Sequence, residues 1–316
     1  MFFYNIIVIL YDKEELEVLY YRQKVLLALI EKFNGSLSKT ALQKYLLLFT
    51  EEQDERSFNF VPYYYGCYSF QATKDLEYLK EKNYLKHNNS WDLEQHEMSY
   101  INMLNNKDKV VLSNLYKNFQ NISSDALIKY VYLNYPYYTI KSTIKERILS
   151  KRELEVVDNV IKVKFDLNNE ENTLFTIGYE GISLEEYVNR LIKNNIKVLV
   201  DVRRNPLSRK FGFSKLQLKS TVEKFGIEYL HLPTLGIESE QREDLKTLDD
   251  YNKLFDKYEK TLSSKLNELE KLNNLIFTKK RIALTCFEND TKMCHRTRIK
   301  NKLIDLSPRK YKVVEL

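Results

Sequence analysis

The spacing of apolar positions changes about halfway along the chain. From Glu14 to Phe33 they recur at helical spacing, and the run stops at Asn34-Gly35, a helix-closing pair. Before it, Phe2 to Leu10 reads as a strand or the first turn of a helix. Ser38 can cap the next helix, whose apolar face is Leu42, Tyr45, Leu46 and Phe49. The aromatic stretch from Phe58 to Ser69 reads as turns around Pro62 and Gly66. A helix from Phe70 to Lys82 carries Leu76 and Leu79, and Asn83 to Leu93 predicts a hairpin turning at Asn88-Asn89. Two more helices are expected near Lys107 to Phe119 and Ser124 to Leu133, the second closed by Tyr135-Pro136. Helices followed by a small hairpin make a mostly helical, winged-helix-like domain over residues 1–155.

A mixed-charge segment, 156–173, then reads as a linker. Beyond it, short apolar runs alternate with helical patterns. Strands are expected at Leu174 to Ile177, Lys197 to Val202, Ile227 to His231, Ile282 to Cys286 and Tyr311 to Val314. Helices are expected after the Ser183 cap, from near Ser214, across Leu248 to Leu275, and from Cys294 to Ile304. This alternation predicts an α/β domain over residues 174–316, a mainly parallel five-stranded sheet in three layers.

Composition narrows the class. The chain has 316 residues, 43% of them hydrophobic and 30% charged, with 7 Gly and 5 Pro, which suits a folded two-domain protein. No apolar run reaches the roughly 18 residues that span a bilayer, so no membrane partner is expected. The first residues lack a basic region and a small-residue cleavage site, which argues against a signal peptide. Three cysteines do not make a disulfide framework, and the expected location is cytoplasmic. The net charge of +6 is compatible with nucleic acid without requiring it. Nine of the thirteen Arg lie beyond Thr173, and Arg is favoured where a planar cation must grip an anion.

Ligands of such sheets gather where the strands end. There the sequence places Gly178 and Tyr179 after the first strand, and Asp201, Arg203, Ser208 and Arg209 after the second. His231 ends the third strand, and Cys286, Glu288 and Cys294-His295-Arg296 follow the fourth. Arg203, Arg209 and Arg296, with Ser208, Tyr179 and Gly178, are candidate ligand-binding groups for a phosphate or another oxyanion. A rival reading pairs these Arg with Asp201, Glu180 and Glu288 and binds nothing. Asp201 and Glu288 are candidate acid/base groups, His231 is the group that titrates near neutrality, and Cys294, His295 and Cys286 are nucleophile or proton-transfer candidates. At a helix start beside His295 and Arg296, Cys294 is expected to have a lowered thiol pKa. Cys286, Cys294, His295 and His231 could hold zinc, but seven residues separate the cysteines and adjacent Cys-His must splay, so no metal is assigned. No dinucleotide fingerprint, P-loop or other familiar catalytic motif occurs, and the cofactor is unknown. Cys67, His87 and His96 stand apart from these groups.

Four blocks carry a resemblance. Thr176-Ile177-Gly178-Tyr179-Glu180-Gly181, Asp201-Val202-Arg203-x-x-Pro206-x-Ser208, Tyr229-x-His231-x-Pro233-x-Leu235-Gly236 and Cys286-x-Glu288-x5-Cys294-His295-Arg296, in this order, resemble domain-of-unknown-function family 488. The resemblance implies an α/β fold with the motif residues gathered in one site, and it implies no reaction. In the first half, Leu42-Gln43-Lys44-Tyr45, Pro62-Tyr63-x-Tyr65-Gly66 and Asp75-Leu76-x-x-Leu79 resemble Panacea-type winged-helix modules, which serve protein contacts as well as nucleic acid. The helix from Phe70 to Lys82 sets Lys74, Lys80 and Lys82 against Asp75, Glu77 and Glu81, so packing on the second domain or on a protein partner is favoured over DNA binding. Two functions stay open. One is an enzyme acting on a nucleotide or nucleic-acid end; the other is a sensor whose pocket binds an anionic ligand while the first half contacts DNA or a protein.

Overall fold

A computed structural model describes residues 19–94, 98–165, 167–242, 245, 247–307 and 310–316. The expected element at Phe2 to Leu10, the start of the helix at Glu14, and His96 lie outside the described residues. The chain forms two compact units: residues 1–58 with 72–121, and 59–71 with 122–316.

In chain order the first half contains α1 (Tyr21–Lys32), β1 (Ser36–Ser38), α2 (Lys39–Glu51), β2 (Val61–Tyr63), β3 (Gly66–Tyr68), α3 (Phe70–Glu81), β4 (Leu85–His87), β5 (Ser90–Leu93) and α4 (Asn106–Phe119). In the first unit β1, β5 and β4 form an antiparallel sheet in that order, with Leu37 paired to Trp91 and both buried. Ser38 caps α2 by accepting from the Ala41 N–H at 3.2 Å, as its side-chain chemistry predicts. Arg22 of α1 grips Asp75 of α3 with two hydrogen bonds, at 2.6 and 3.3 Å. Asp75 is buried, so this pair withdraws an acidic group from the α3 surface.

The second unit continues with α5 (Ser124–Asn134), α6 (Lys145–Ile148), α7 (Lys151–Lys164), β6 (Thr173–Gly178), α8 (Leu184–Lys193), β7 (Val198–Asp201), α9 (Lys215–Glu223), β8 (Glu228–His231), α10 (Leu248–Leu262), α11 (Leu266–Lys279), β9 (Arg281–Cys286), α12 (Arg296–Leu306) and β10 (Lys312–Glu315). Five strands pair in the order β10-β6-β9-β7-β8, every pair parallel. The layers follow from side-chain alternation. Phe175, Ile177, Leu199 and Ala283 face α8 and α9 in one apolar cluster. Leu174, Val198, Val200, Ile282 and Leu284 face α10, α11 and α12 in another. The sheet is therefore covered on both faces, which explains why β6, β7 and β9 are buried at every position.

The contacts divide the chain differently from the sequence pattern. Residues 122–155, expected with the first domain, belong to the second unit, and α7 runs through much of the expected linker. Within the aromatic stretch from Phe58 to Ser69, expected as turns, Val61 to Tyr68 form the hairpin β2–β3 of that same unit. Specific bonds explain the grouping. Tyr137 Oη donates to Asn189 of α8 at 2.7 Å, and the Asn189 amide donates to the Phe60 carbonyl at 2.7 Å. Val61 joins the apolar cluster of α8, with Tyr63, Tyr68 and Phe70 packed against it. Periodicity reads each element but not which sheet face a distant hairpin covers.

Buried Glu185, in the first turn of α8, accepts from the Ser69 hydroxyl at 3.2 Å and the Gln71 N–H at 2.8 Å. Burial pushes its carboxyl above the usual carboxylate range, and these hydrogen bonds only partly offset that. A carboxyl whose folded pKa is raised contributes stability that is present below its unfolded pKa and lost as pH rises through the folded one. Glu185→Gln should therefore gain stability relative to the wild type as pH rises from acid to neutral. Thermal unfolding of both proteins across that range checks this; a difference that does not change with pH would remove Glu185 as the cause.

Candidate functional site

Strand register assembles the site. Gly178 is paired with Cys286, Asp201 with Thr285 and Asp201 with His231, so the ends of β6, β9, β7 and β8 form a row across the sheet, offset by one residue between β9 and β7. A cleft of about 320 Å³ opens at this edge, lined among others by Tyr179, Arg204, Ser208, Arg209, Cys286 and Phe287.

The row is held by one buried ion pair. Arg203 Nε donates to Asp201 Oδ1 at 2.8 Å and Nη2 to Oδ2 at 2.5 Å. Its Nη1 donates to Tyr179 Oη at 2.8 Å and to the Phe213 carbonyl at 2.9 Å. Asp201 also accepts from Tyr229 Oη at 2.6 Å and from the Arg203 backbone N–H at 3.1 Å. Asp201 is 0% exposed and Arg203 6%, so the carboxylate is saturated and the guanidinium nearly so. Burial disfavours the Arg203 cation, but the hydrogen bonds and charge of Asp201 outweigh it and hold its pKa above the ordinary arginine value. The Tyr179 ring stacks on Phe213 at 4.2 Å between centroids, closing the network on one side. His231 Nε2 lies 2.9 Å from the Arg203 carbonyl. The rival sequence reading of internal ion pairing thus describes Arg203 and Asp201, the groups expected as anion binder and acid/base.

Cys286, Glu288, Cys294 and His295 form a second cluster, their donor atoms all within 4.8 Å of one another. Cys286 Sγ donates to Glu288 Oε2 at 2.9 Å and lies 3.6 Å from His295 Nδ1. His295 Nε2 lies 3.0 Å from the Val202 carbonyl. A carbonyl only accepts, so Nε2 carries a proton and Nδ1 faces the cluster. His231, expected as a possible fourth ligand, faces the Arg203 carbonyl instead. Cys294 precedes α12 by two residues. Burial, and then the neighbouring Cys286, push its thiol well up, opposite to the lowering expected at a helix start. Arg296 is 1% exposed and donates through Nη1 to the Glu288 carbonyl and through Nη2 to the Asn289 carbonyl at 3.0 Å. It clamps the loop backbone rather than the Glu288 carboxylate. Gly178 sits against the same loop: a Cβ there would come 2.0 Å from the Glu288 carbonyl oxygen.

Arg209 behaves differently. It is exposed, lines the cleft, and makes no ion pair or hydrogen bond among the described residues. Ser208 Oγ accepts from the Lys210 N–H at 3.1 Å, and the Ser208 N–H and carbonyl both engage Ser214 Oγ, at 3.1 and 3.0 Å. Nothing in the sequence marked Phe213 or Phe287, and Arg204 stood at a strand end without an assigned role. Arg204 pairs with Glu238 at 2.7 Å, and a Cβ at Gly236 would meet its backbone nitrogen at 2.3 Å. Tyr229 was visible at a strand end, but nothing in spacing gave its hydroxyl to Asp201.

Residues 183–303 match the family model described as Domain of unknown function DUF488. The matched span contains the Asp201–Arg203 pair and all four members of the Cys/His/Glu cluster, while Gly178 and Tyr179 precede it. No curated protein and no solved structure matches the chain. DUF488 is a sequence family without a stated reaction, so the chemistry rests on the residues themselves.

Removing one partner of a buried pair leaves the other charge uncompensated, at a cost of about 3–5 kcal/mol. Asp201→Ala and Arg203→Ala should each lose that much in urea unfolding. The double variant should lose clearly less than their sum. Additive losses would mean the two side chains act independently.

Proposed function

We propose that the second unit binds a small phosphate-bearing ligand, a nucleotide or the end of a nucleic acid, in the cleft at the carboxyl edge of its sheet. One observation carries this reading: Arg209 is a permanently charged group presented to the cleft without an ion-pair or hydrogen-bond partner among the described residues. Arg203 and Arg296, the other expected anion binders, are committed to Asp201 and to the loop carbonyls, so they shape the pocket rather than contact the ligand. Ser208 lies beside Arg209 and can turn its hydroxyl to an oxyanion. Phe287 is 43% exposed and Leu207 77% exposed, an apolar rim suited to a base or sugar face.

Binding is favoured over turnover by the state of the acid/base candidates. Asp201 is saturated by Arg203 and Tyr229, and His231 is directed to the Arg203 carbonyl. A proton-transfer group must reach the substrate. Neither is free to do so without breaking the network that holds the strand ends. This supports the sensor reading, in which the winged-helix-like first unit carries occupancy to a protein or DNA partner. In that unit Arg22 neutralises Asp75 on α3, which makes the helix surface less acidic than its sequence suggests.

Titration of the full chain with orthophosphate and with nucleoside monophosphates, followed by calorimetry, tests the proposal. Arg209→Ala should weaken binding at least about tenfold, the loss of one charge-assisted contact, and rising salt should weaken the wild type. Arg209→Ala binding as tightly as the wild type would overturn it.

A further inference from the structure

We propose that Cys286, Glu288, Cys294 and His295 form a binding site for a thiophilic divalent metal ion of the zinc class. Two thiols, an imidazole and a carboxylate make a complete tetrahedral set for zinc, and their donor atoms already lie within 4.8 Å of one another. Zinc bonds of about 2.0–2.3 Å imply donor–donor edges of about 3.3–3.8 Å in a tetrahedron. The Cys286 Sγ to His295 Nδ1 separation of 3.6 Å falls in that range. The Cys286 Sγ to Glu288 Oε2 hydrogen bond of 2.9 Å would open by less than an ångström as the ion replaces its proton.

Three further features point the same way. His295 donates Nε2–H to the Val202 carbonyl at 3.0 Å, the kind of outer contact that orients a ligating imidazole, here with Nδ1 turned toward the cluster. The splay that adjacent Cys-His needs is supplied by the backbone, since Cys294 is extended (φ −128, ψ 132) and His295 helical (φ −64, ψ −20). Finally, two thiolates and one carboxylate around a divalent ion leave a net charge of about −1, and the buried Arg296 guanidinium lies on the loop that carries Glu288. The seven residues between the cysteines, too long for a zinc knuckle, span the end of β9 and the start of α12. The ion would tie these two elements together. Coordination displaces the two thiol protons to solvent and changes no oxidation state.

The inference does not depend on phosphate binding. The full chain is purified under reducing conditions, its metal content measured, and the chelator-stripped protein titrated with Co(II) and Zn(II). One equivalent per chain is expected, with thiolate-to-cobalt charge transfer and intense tetrahedral visible bands. Cys286→Ser and Cys294→Ser should abolish the charge-transfer band or reduce it by half, and His295→Ala should weaken zinc at least about tenfold. His231→Ala and Arg209→Ala should keep full metal content, which separates this inference from the phosphate reading. Zinc should also raise the melting temperature of the wild type but not that of the double Cys→Ser variant. Sub-stoichiometric binding by the folded wild type would overturn the proposal. So would a pale octahedral cobalt spectrum, binding unchanged in the double Cys→Ser variant, or a Cys286–Cys294 disulfide in the reduced preparation. If the variants do not fold, the wild-type cobalt spectrum decides alone.

Discussion

A carboxylate with no exposed surface can stay charged only if its surroundings replace the water it has lost, and the strand-end edge of the second unit is built around that requirement. Asp201 meets it with Arg203, Tyr229 and a backbone N–H. Arg203 in turn needs oxygens for its remaining donors and takes them from Tyr179 and the Phe213 carbonyl. Four chain segments distant in sequence are thereby fixed by one charge pair. Such an arrangement contributes less to net stability than to geometry, because desolvation consumes much of the Coulombic gain. Its value here is to hold the ends of β6, β7 and β8 and the loop before α9 in one arrangement.

That arrangement sorts the polar groups of the edge into two kinds. Some are spent internally, as Asp201 and Arg203 are, while Arg209 makes no ion pair or hydrogen bond among the described residues. A polar pocket counted by residue type alone would mix the two. The distinction also keeps the cleft and the Cys/His/Glu cluster apart as chemistry, although Cys286 borders both.

The architecture was legible because a parallel sheet buried on both faces writes itself as short continuous apolar runs. Lys197 to Val202 and Ile282 to Cys286 announce β7 and β9 within a residue or so of their observed ends. The clustering of polar groups at strand ends was equally legible, since it follows from chain order. Pairing was not. Whether Arg203 faces a ligand or Asp201 depends on side-chain direction over the last residues of a strand, and that is set by Tyr229 and Phe213, which no spacing rule connects to it. The convergence of Cys286 with Cys294 was hidden for a similar reason: the seven-residue separation discourages a metal reading until the loop is seen folded back. The grouping of residues 122–164 and the β2–β3 hairpin with the sheet depends on single long-range bonds such as Asn189 to Phe60, which leave no periodic trace.

That hairpin makes the second unit discontinuous in the chain, and the order of synthesis gives this a meaning. Residues 59–71 emerge early, flanked on both sides by the first unit, while Glu185, Asn189 and the apolar face of α8 that receive them come much later. The first unit can close before its inserted hairpin has anything to pack on. A strongly aromatic strand pair, Val61 to Tyr68, must then wait in solvent for its partner helix. The helix that receives this segment is thus made more than a hundred residues after it, and exposed apolar surface of this kind is where a nascent chain is open to aggregation.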